Sequence, residues 1–192
     1  MSNDPLAIIF VSNGPGELAT WVQPLARELH KQIPLRPQEQ TSSISLNLVL
    51  VPCPNATGNE NLVAKEWLQF ENIINSKKFW KLLIKPNNFV SWPTKGLVIF
   101  LGGDQFWSVL LSARLGYLHM TYAEWIARWP FWNNRILAMS KSIVEKLPPR
   151  IQNRCSVIGD LTADLTETTK IDNPLPSGTW IALMPGSKSS KL

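Results

Sequence analysis

Cysteine and histidine are scarce in this sequence, which limits the metal and redox chemistry that it could carry. The 192 residues include two Cys, Cys53 and Cys155, which lie far apart and form no CxxC motif. The two His, His30 and His119, lie in unrelated contexts, and a metal site would need more ligands than these. We therefore expect a reduced protein with no metal site and no cofactor.

The sequence also lacks a long apolar run. No stretch approaches the roughly 20 apolar residues that cross a bilayer as a helix. The first residues, MSNDPLAIIFVSNGPGE, contain no basic segment and an apolar run of only about six residues, unlike a secretory signal peptide. These absences predict a cytoplasmic protein that could still contact the inner face of a membrane.

Positive charge is not concentrated in one segment. The formal net charge is +5, from 19 Lys+Arg and 14 Asp+Glu, and the positive residues are scattered. A nucleic-acid-binding protein usually concentrates them on one face, so nucleic acid is not an expected partner.

Tryptophan, by contrast, is abundant. Nine Trp favour an interface, because Trp is frequent at binding surfaces and in the headgroup zone of membranes.

Three short, largely apolar runs predict the central strands of a sheet. Leu6–Val11, Ile44–Val51 and Gly96–Leu101 have the pattern of strands that are buried on both faces. Helical patterns follow the first run at Glu17–Lys31 and the third at Gln105–Leu115. The alternation predicts an α/β fold with a doubly wound, Rossmann-like parallel sheet. Further predicted elements are helices at Asn61–Phe70, Ser76–Ile84 and Lys141–Lys146, and strands at Tyr117–Thr121, Arg135–Met139, Cys155–Ile158 and Trp180–Met184.

The Pro/Ser/Gly-rich stretch Asn173–Gly178 predicts a domain boundary. Residues 1–178 would form one Rossmann-like lobe, and residues 179–192 would supply the first strand and turn of a second. The chain ends at Leu192, before the helix that should follow this turn. We therefore expect a chain that is truncated or split at a domain boundary.

The loop after the first predicted strand reads Gly14-Pro15-Gly16-Glu17, which begins the G-x-G-x-x-A pattern of dinucleotide-binding folds. Pro15 removes one backbone N–H from this loop, and Glu17 places a carboxylate where a pyrophosphate would bind. No acidic residue follows the second strand to hold a ribose. Nicotinamide or flavin binding, a tight turn with only a packing role, and a carboxylate that faces a hydroxyl-rich partner such as a sugar all remain open.

Gly102-Gly103-Asp104 follows the third predicted strand, at the carboxyl end where open α/β sheets bind ligands. The two glycines allow close approach of another group. Asp104 is a candidate base toward an acceptor hydroxyl or, alternatively, the N-cap of the helix that begins at Gln105.

An aromatic segment with basic neighbours follows, and it comprises Tyr122, Glu124, Trp125, Trp129, Phe131 and Trp132, beside Arg128 and Arg135. This segment is either a Trp-rich core patch or a surface for an amphiphile or lipid headgroup. Near the end of the chain, Pro185-Gly186-Ser187-Lys188 is either a phosphate-holding turn or an ordinary surface turn, and it does not match a P-loop.

Several of these segments, in order, resemble the lipid-A-disaccharide synthase family, especially its divergent relatives in photosynthetic bacteria. Gly16-Glu17 is similar to that family's opening G-E loop, and Ser156–Asp164 to its I-G-H-x-x-x-D segment. Ile181–Lys188 is very like its L-L-P-G-S-R turn. Between them, Val98–Trp107 occupies the place of its apolar strand and D-x-P-D-F-N loop. The similar segments span nearly all of the chain, and the resemblance rests on their order and spacing.

The resemblance implies the acceptor-side lobe of a two-lobed glycosyltransferase of GT-B type. In that family the other lobe holds a UDP-sugar, and transfer to a lipid or sugar acceptor inverts the anomeric centre without a metal. The sequence departs from the family where Leu18-Ala19-Thr20 replaces S-G-D, where Asp160 replaces the His after I-G, and where Lys188 replaces Arg. In the D-x-P-D-F-N loop the first Asp is a glycine, and Asp104 remains.

The sequence therefore predicts a glycosyltransferase lobe that does not transfer sugar when it is isolated. The candidate base is Asp104 or Glu17. The expected substrate-binding residues are Gly14, Gly16, Gly102, Gly103, Trp125 and Arg128, and the expected phosphate-side residues are Gly186, Ser187 and Lys188. The alternatives are a catalytically silent binding lobe and a nucleotide-dependent oxidoreductase. We also expect Gly14–Glu17 and Gly102–Asp104 to meet at one edge of the sheet.

Overall fold

A computed structural model describes residues 5–35, 43–54, 56, 58–67, 69–163 and 178–179. The described residues form an all-parallel sheet of seven strands in the order β3-β2-β1-β4-β5-β6-β7. The strands are β1 (Leu6–Ser12), β2 (Ile44–Leu50), β3 (Asn72–Ile74), β4 (Lys95–Phe100), β5 (Leu118–Ala123), β6 (Arg135–Ala138) and β7 (Cys155–Val157). This is the strand order of a Rossmann-like sheet, so the predicted fold class is confirmed.

Helix α1 follows β1 and is α-helical at Pro15–Glu17, π-helical at Leu18–Val22 and α-helical again at Gln23–Gln32. The wider π turn, in which the Gln23 N–H bonds to the Leu18 carbonyl, immediately precedes Pro24, whose ring nitrogen cannot donate. The other α-helices are α2 (Glu60–Lys65), α3 (Phe79–Ile84), α4 (Gln105–Leu115), α5 (Lys141–Glu145) and α6 (Pro149–Gln152), and 3₁₀ turns lie at Ile33–Leu35, Ser76–Lys78, Pro86–Asn88 and Pro130–Trp132.

Helices cover both faces of the sheet because the side chains of its central strands are apolar on both faces. Ala7, Ile9 and Val11 of β1 pack in one buried cluster with side chains of α3 and α4. Ile8 and Phe10 pack on the opposite face with side chains of α1 and α2. A third cluster joins β6 to α5 and α6. The sheet is therefore doubly wound, as predicted.

The predicted helix at Asn61–Phe70 is wrong in extent, because α2 ends at Lys65 and the chain goes on to form β3. Strand β3 and helix α6 were not predicted, since neither three nor four residues show a periodic pattern. Tertiary contacts define β3 instead. The Asn72 side-chain amide donates to Asn47 Oδ1 at 2.8 Å, and the Glu71 N–H donates to the Leu46 carbonyl at 2.9 Å.

The predicted strand Trp180–Met184 and the turn that follows it lie outside the described residues. Within the described part of the chain, no helix is long and apolar enough to span a bilayer.

Candidate functional site

The carboxyl ends of β1, β2 and β4 lie at the same level of the sheet. Ser12, the last residue of β1, pairs with Leu50 of β2, and Val11 pairs with Phe100 of β4. The strand order reverses here, because the chain proceeds from β1 to β2 on one side and returns to β4 on the other. Open α/β sheets bind ligands in the crevice at such a switch point.

The loops after β1 and β4 are in contact at this crevice. A Cβ atom built on Gly102 would lie 2.8 Å from Glu17 Cγ and 3.0 Å from Ser12 Oγ. A Cβ on Gly14 would overlap the Glu17 carboxylate itself. The Glu17 side chain therefore lies between the two glycines, and each glycine is needed for the close approach. The prediction that Gly14–Glu17 and Gly102–Asp104 meet at one edge is confirmed.

A cleft of about 350 Å³, which we call the first cleft, opens at this edge of the sheet. Six of the predicted site residues line it: Glu17, Gly102, Gly103, Asp104, Trp125 and Arg128. Gly14 lies instead on a neighbouring cleft. Gly16 lies in the first turn of α1, where its carbonyl accepts a 2.8 Å hydrogen bond from Thr20 Oγ1. Gly186, Ser187 and Lys188 lie outside the described residues.

The two candidate carboxylates have different surroundings. Asp104 is exposed, and its Oδ1 accepts a 3.0 Å hydrogen bond from the Phe106 N–H, so Asp104 is the N-cap of α4. Glu17 is half-buried in the first turn of α1, where the helix dipole favours a negative charge. Its carboxylate accepts no hydrogen bond from any residue that the structure describes. Both oxygens of Glu17 are therefore available to a ligand, whereas one oxygen of Asp104 is engaged in the cap.

The aromatic segment after β5 is a surface loop, and the core-patch interpretation is wrong for most of it. Trp125 is 76% exposed and Trp132 is 60% exposed, with Trp129 and Phe131 also exposed. The buried exceptions are Tyr122, which belongs to β5, and Ala127 within the loop. Large apolar side chains that are clustered and exposed usually mark an interaction surface.

Gln105 holds this loop in place, a role that no sequence pattern indicates. Its side chain is buried, with Nε2 donating to the Ile126 carbonyl at 2.6 Å and Oε1 accepting from the Arg128 N–H at 2.7 Å. Trp125 and Arg128 are thereby fixed relative to the start of α4, where Asp104 lies. From the sequence, Gln105 is only a polar residue in the first turn of a predicted helix. Its bonding partners lie more than 20 residues further along the chain, so the sequence does not reveal them.

Tyr122 brings a further segment to the same edge of the sheet. Its hydroxyl donates to the Gly159 carbonyl and accepts from the Leu161 N–H, both at 3.3 Å. Burial raises the pKa of Tyr122, and the negative charge of Asp160 raises it further. The Trp21 and Tyr122 rings pack edge to face, with their centroids 5.3 Å apart. Gly159–Leu161, part of one of the segments on which the resemblance rests, is therefore bonded to a residue that lines the first cleft.

His119 lies on β5 in the interior and is not a site residue. Its Nε2 is 2.9 Å from Ser108 Oγ, and this hydroxyl donates to the Gln105 carbonyl. Burial lowers the pKa of His119 to about 4, although the Asn133 side chain opposes the shift. A neutral imidazole therefore connects β5 to the start of α4.

These elements define a Rossmann-like domain with an open crevice at its switch point. Comparisons with protein-family models and with curated proteins find no match for this chain. Among the described residues, no group of three or more His, Cys, Asp or Glu could hold a metal ion.

Proposed function

We propose that this chain is the acceptor-side lobe of a nucleotide-sugar-dependent glycosyltransferase. The main support is the position of Glu17, a half-buried carboxylate that the two loop glycines Gly14 and Gly102 enclose at the switch point. A loop that keeps a carboxylate in this position suits a ligand with hydroxyl groups. The resemblance to the lipid-A-disaccharide synthase family adds the reaction class, which is inverting hexosyl transfer from a UDP-sugar to a lipid or sugar acceptor.

Glu17 is the proposed general base. As the acceptor oxygen attacks the anomeric carbon, its proton passes to a Glu17 carboxylate oxygen. The bond from the anomeric carbon to the nucleotide breaks, and the diphosphate leaves with the electron pair. Such proton transfer contributes typically 10²–10⁴-fold to a rate. Asp104 is the second candidate, because one of its oxygens is engaged in the cap of α4.

Trp125, Trp129 and Trp132 suggest an acceptor that is a lipid. Amphipathic rings and cations suit the boundary between headgroups and acyl chains, and Arg128 lies on the same loop. We propose that this loop contacts the cytoplasmic face of a membrane and admits the acceptor headgroup to the first cleft. The donor nucleotide would be held mainly by a second lobe, so the present residues alone should not catalyse transfer.

One observation favours the alternative of a catalytically silent binding lobe. Asp104 caps a helix, and this structural role accounts for the residue without any catalytic role. An oxidoreductase is disfavoured, because the Glu17 carboxylate packs against Gly14 where a pyrophosphate would need the loop backbone. NAD(P) should accordingly leave the thermal unfolding of the protein unchanged.

The proposal is tested by a transfer assay on the protein as its complete gene encodes it. Radiolabelled UDP-hexoses are offered with glycolipid and alkyl-glycoside acceptors, and the labelled product is separated by its acyl chain. Formation of a labelled glycolipid supports the proposal. Binding of acceptors without any transfer across this panel would favour the silent lobe.

A further inference from the structure

A second cleft adjoins the first on the side of β2, with a volume of about 670 Å³. Glu17, Gly103 and Asp104 border both clefts. The side chains that belong to the second cleft alone include Asn13, Cys53 and Trp107. The two candidate carboxylates therefore lie between two separate volumes, each of which is large enough for part of a ligand.

Asn13 is the unusual residue of the second cleft. It is only 4% exposed, and its amide packs so closely on Gly103 that a Cβ there would lie 2.5 Å from Asn13 Nδ2. Gly103 has a φ of 96°, which favours glycine independently. Within the described part of the chain, the Asn13 side chain makes no hydrogen bond. The amide lines the cleft and is not sealed in the interior, so its donor and acceptor atoms, which no described residue bonds, are available to a ligand.

The charges of the two clefts differ. Arg128 borders the first cleft, whereas no Lys or Arg among the described residues borders the second. Glu17 and Asp104 give the second cleft a negative lining that disfavours phosphate. Hydroxyl groups suit this lining, because carboxylates accept from them and an amide both donates and accepts. Trp107 adds an apolar surface of the kind on which ligand rings pack.

We propose that the second cleft binds an uncharged hexopyranose ring, with the Asn13 amide bonded to its hydroxyl groups. The inference rests on the proposed function and deepens it. The ring is held on the side of Glu17 opposite Arg128, which leaves the first cleft for the charged or acyl-bearing part of the substrates. The ring belongs either to a sugar acceptor or to the hexosyl group of the donor.

Cys53 provides a local probe of occupancy, because it borders the second cleft, whereas Cys155 lies on β7. The rate at which iodoacetamide alkylates each thiol is measured with methyl glycosides of glucose, galactose and N-acetylglucosamine, and with inorganic phosphate. At least one glycoside should slow the alkylation of Cys53 and leave Cys155 unchanged, and phosphate should have no effect. The absence of protection by every glycoside, or protection by phosphate alone, would overturn the inference.

The Asn13→Ala variant tests the role of the amide. It should weaken glycoside protection about tenfold, as expected for the loss of a hydrogen bond. The variant should be about as stable as the wild type, because the amide that it removes lines a cleft and bonds none of the described residues. The matched control is Asn47→Ala, since Asn47 is also buried but bonds Asn72 and Ser45. This control should lose stability and keep the protection.

A loss of stability in Asn13→Ala with unchanged protection would assign Asn13 a structural role and contradict the inference. These binding measurements need no turnover, so their outcome is independent of the transfer assay.

If transfer is observed, kinetics of the same variant identify the molecule to which the ring belongs. A raised KM for the acceptor alone identifies the acceptor sugar, and a raised KM for the donor alone identifies the transferred hexose.

Discussion

At the scale of single residues, the polar side chains at the crevice are of two kinds. Some make no hydrogen bond within the described part of the protein and are available to a ligand, and others use their hydrogen bonds to position loops. Glu17 and Asn13 border the crevice without hydrogen bonds to the described residues, whereas Gln105 and Tyr122 use their polar groups to position loops. The sequence predicted Glu17 and Asp104, because each lies in a glycine-containing loop directly after an apolar run. It could not predict Asn13 or Gln105, since the value of each amide depends on contacts between distant segments.

The glycines that enclose Glu17 should respond differently to alanine. In Gly14→Ala the added methyl group meets the flexible end of Glu17, so stability should change little while the carboxylate is displaced and activity falls. In Gly102→Ala the methyl group meets Cβ and Cγ of Glu17 and the Ser12 hydroxyl, and we expect a loss of about 1–3 kcal/mol. Urea unfolding and turnover of both variants check this. Equal stability losses would contradict the described position of Glu17.

His119 should make stability depend on pH. Because its pKa is about 4 in the folded chain and about 6.5 when unfolded, the unfolded state takes up the proton first as the pH falls. The stabilising contribution is complete above pH 6.5 and decreases by about 3 kcal/mol toward pH 4. In His119→Gln this part of the pH dependence should disappear in urea titrations. In the control His30→Gln, which replaces an exposed His, it should persist.

At the scale of elements, apolar runs sufficed to predict the strands at the centre of the sheet. Strands β1, β2 and β4 are buried on both faces, so their composition reports their position directly. Strand β3 has only three residues and forms because β2 offers it an edge and Asn47 bonds Asn72. The sequence of the loop after β5 has no periodic hydrophobic pattern. Its structure depends on hydrogen bonds to α4, which precedes it in the chain.

That loop should become mobile when its connection to α4 is removed. In Gln105→Leu the Arg128 N–H loses its acceptor and the Ile126 carbonyl its donor. Hydrogen exchange at the Arg128 amide should accelerate by about tenfold or more, because a hydrogen bond that protects it is lost. The matched control is Gln152→Leu in α6, which removes a side-chain bond to the Leu147 carbonyl. Unchanged exchange at Arg128 in Gln105→Leu would show that other contacts hold the loop.

At the scale of the whole molecule, one edge of the sheet carries the two clefts, the loop of exposed tryptophans and the segment that Tyr122 holds. A Rossmann-like sheet brings these together because all its strands point in the same direction, so sequence order alone predicted that the loops meet. Sequence order could not predict that Glu17 lies between two glycines, or that the crevice is divided into two clefts. Both depend on how side chains of different loops pack on one another.

The exposed tryptophans should bind the protein to anionic membranes. Sedimentation with phosphatidylglycerol vesicles should show association that weakens by about tenfold in Trp125→Ser combined with Trp132→Ser, because buried apolar area drives such binding. Trp80→Ser is the control, since Trp80 is similarly exposed but lies on α3. An equal loss in the control, or none in the double variant, would contradict the assignment of the loop as the membrane contact.

The most direct test of the central claim is the turnover of Glu17→Gln in the protein as its complete gene encodes it, measured beside Asp104→Asn. Asn caps helices well, so the second variant should keep its fold. We predict that Glu17→Gln lowers kcat by roughly 10²–10⁴-fold, as expected for the loss of a general base, while Asp104→Asn retains nearly normal turnover. A large loss in Asp104→Asn alone would move the base to Asp104, and nearly normal turnover in both variants would contradict a catalytic carboxylate at this crevice.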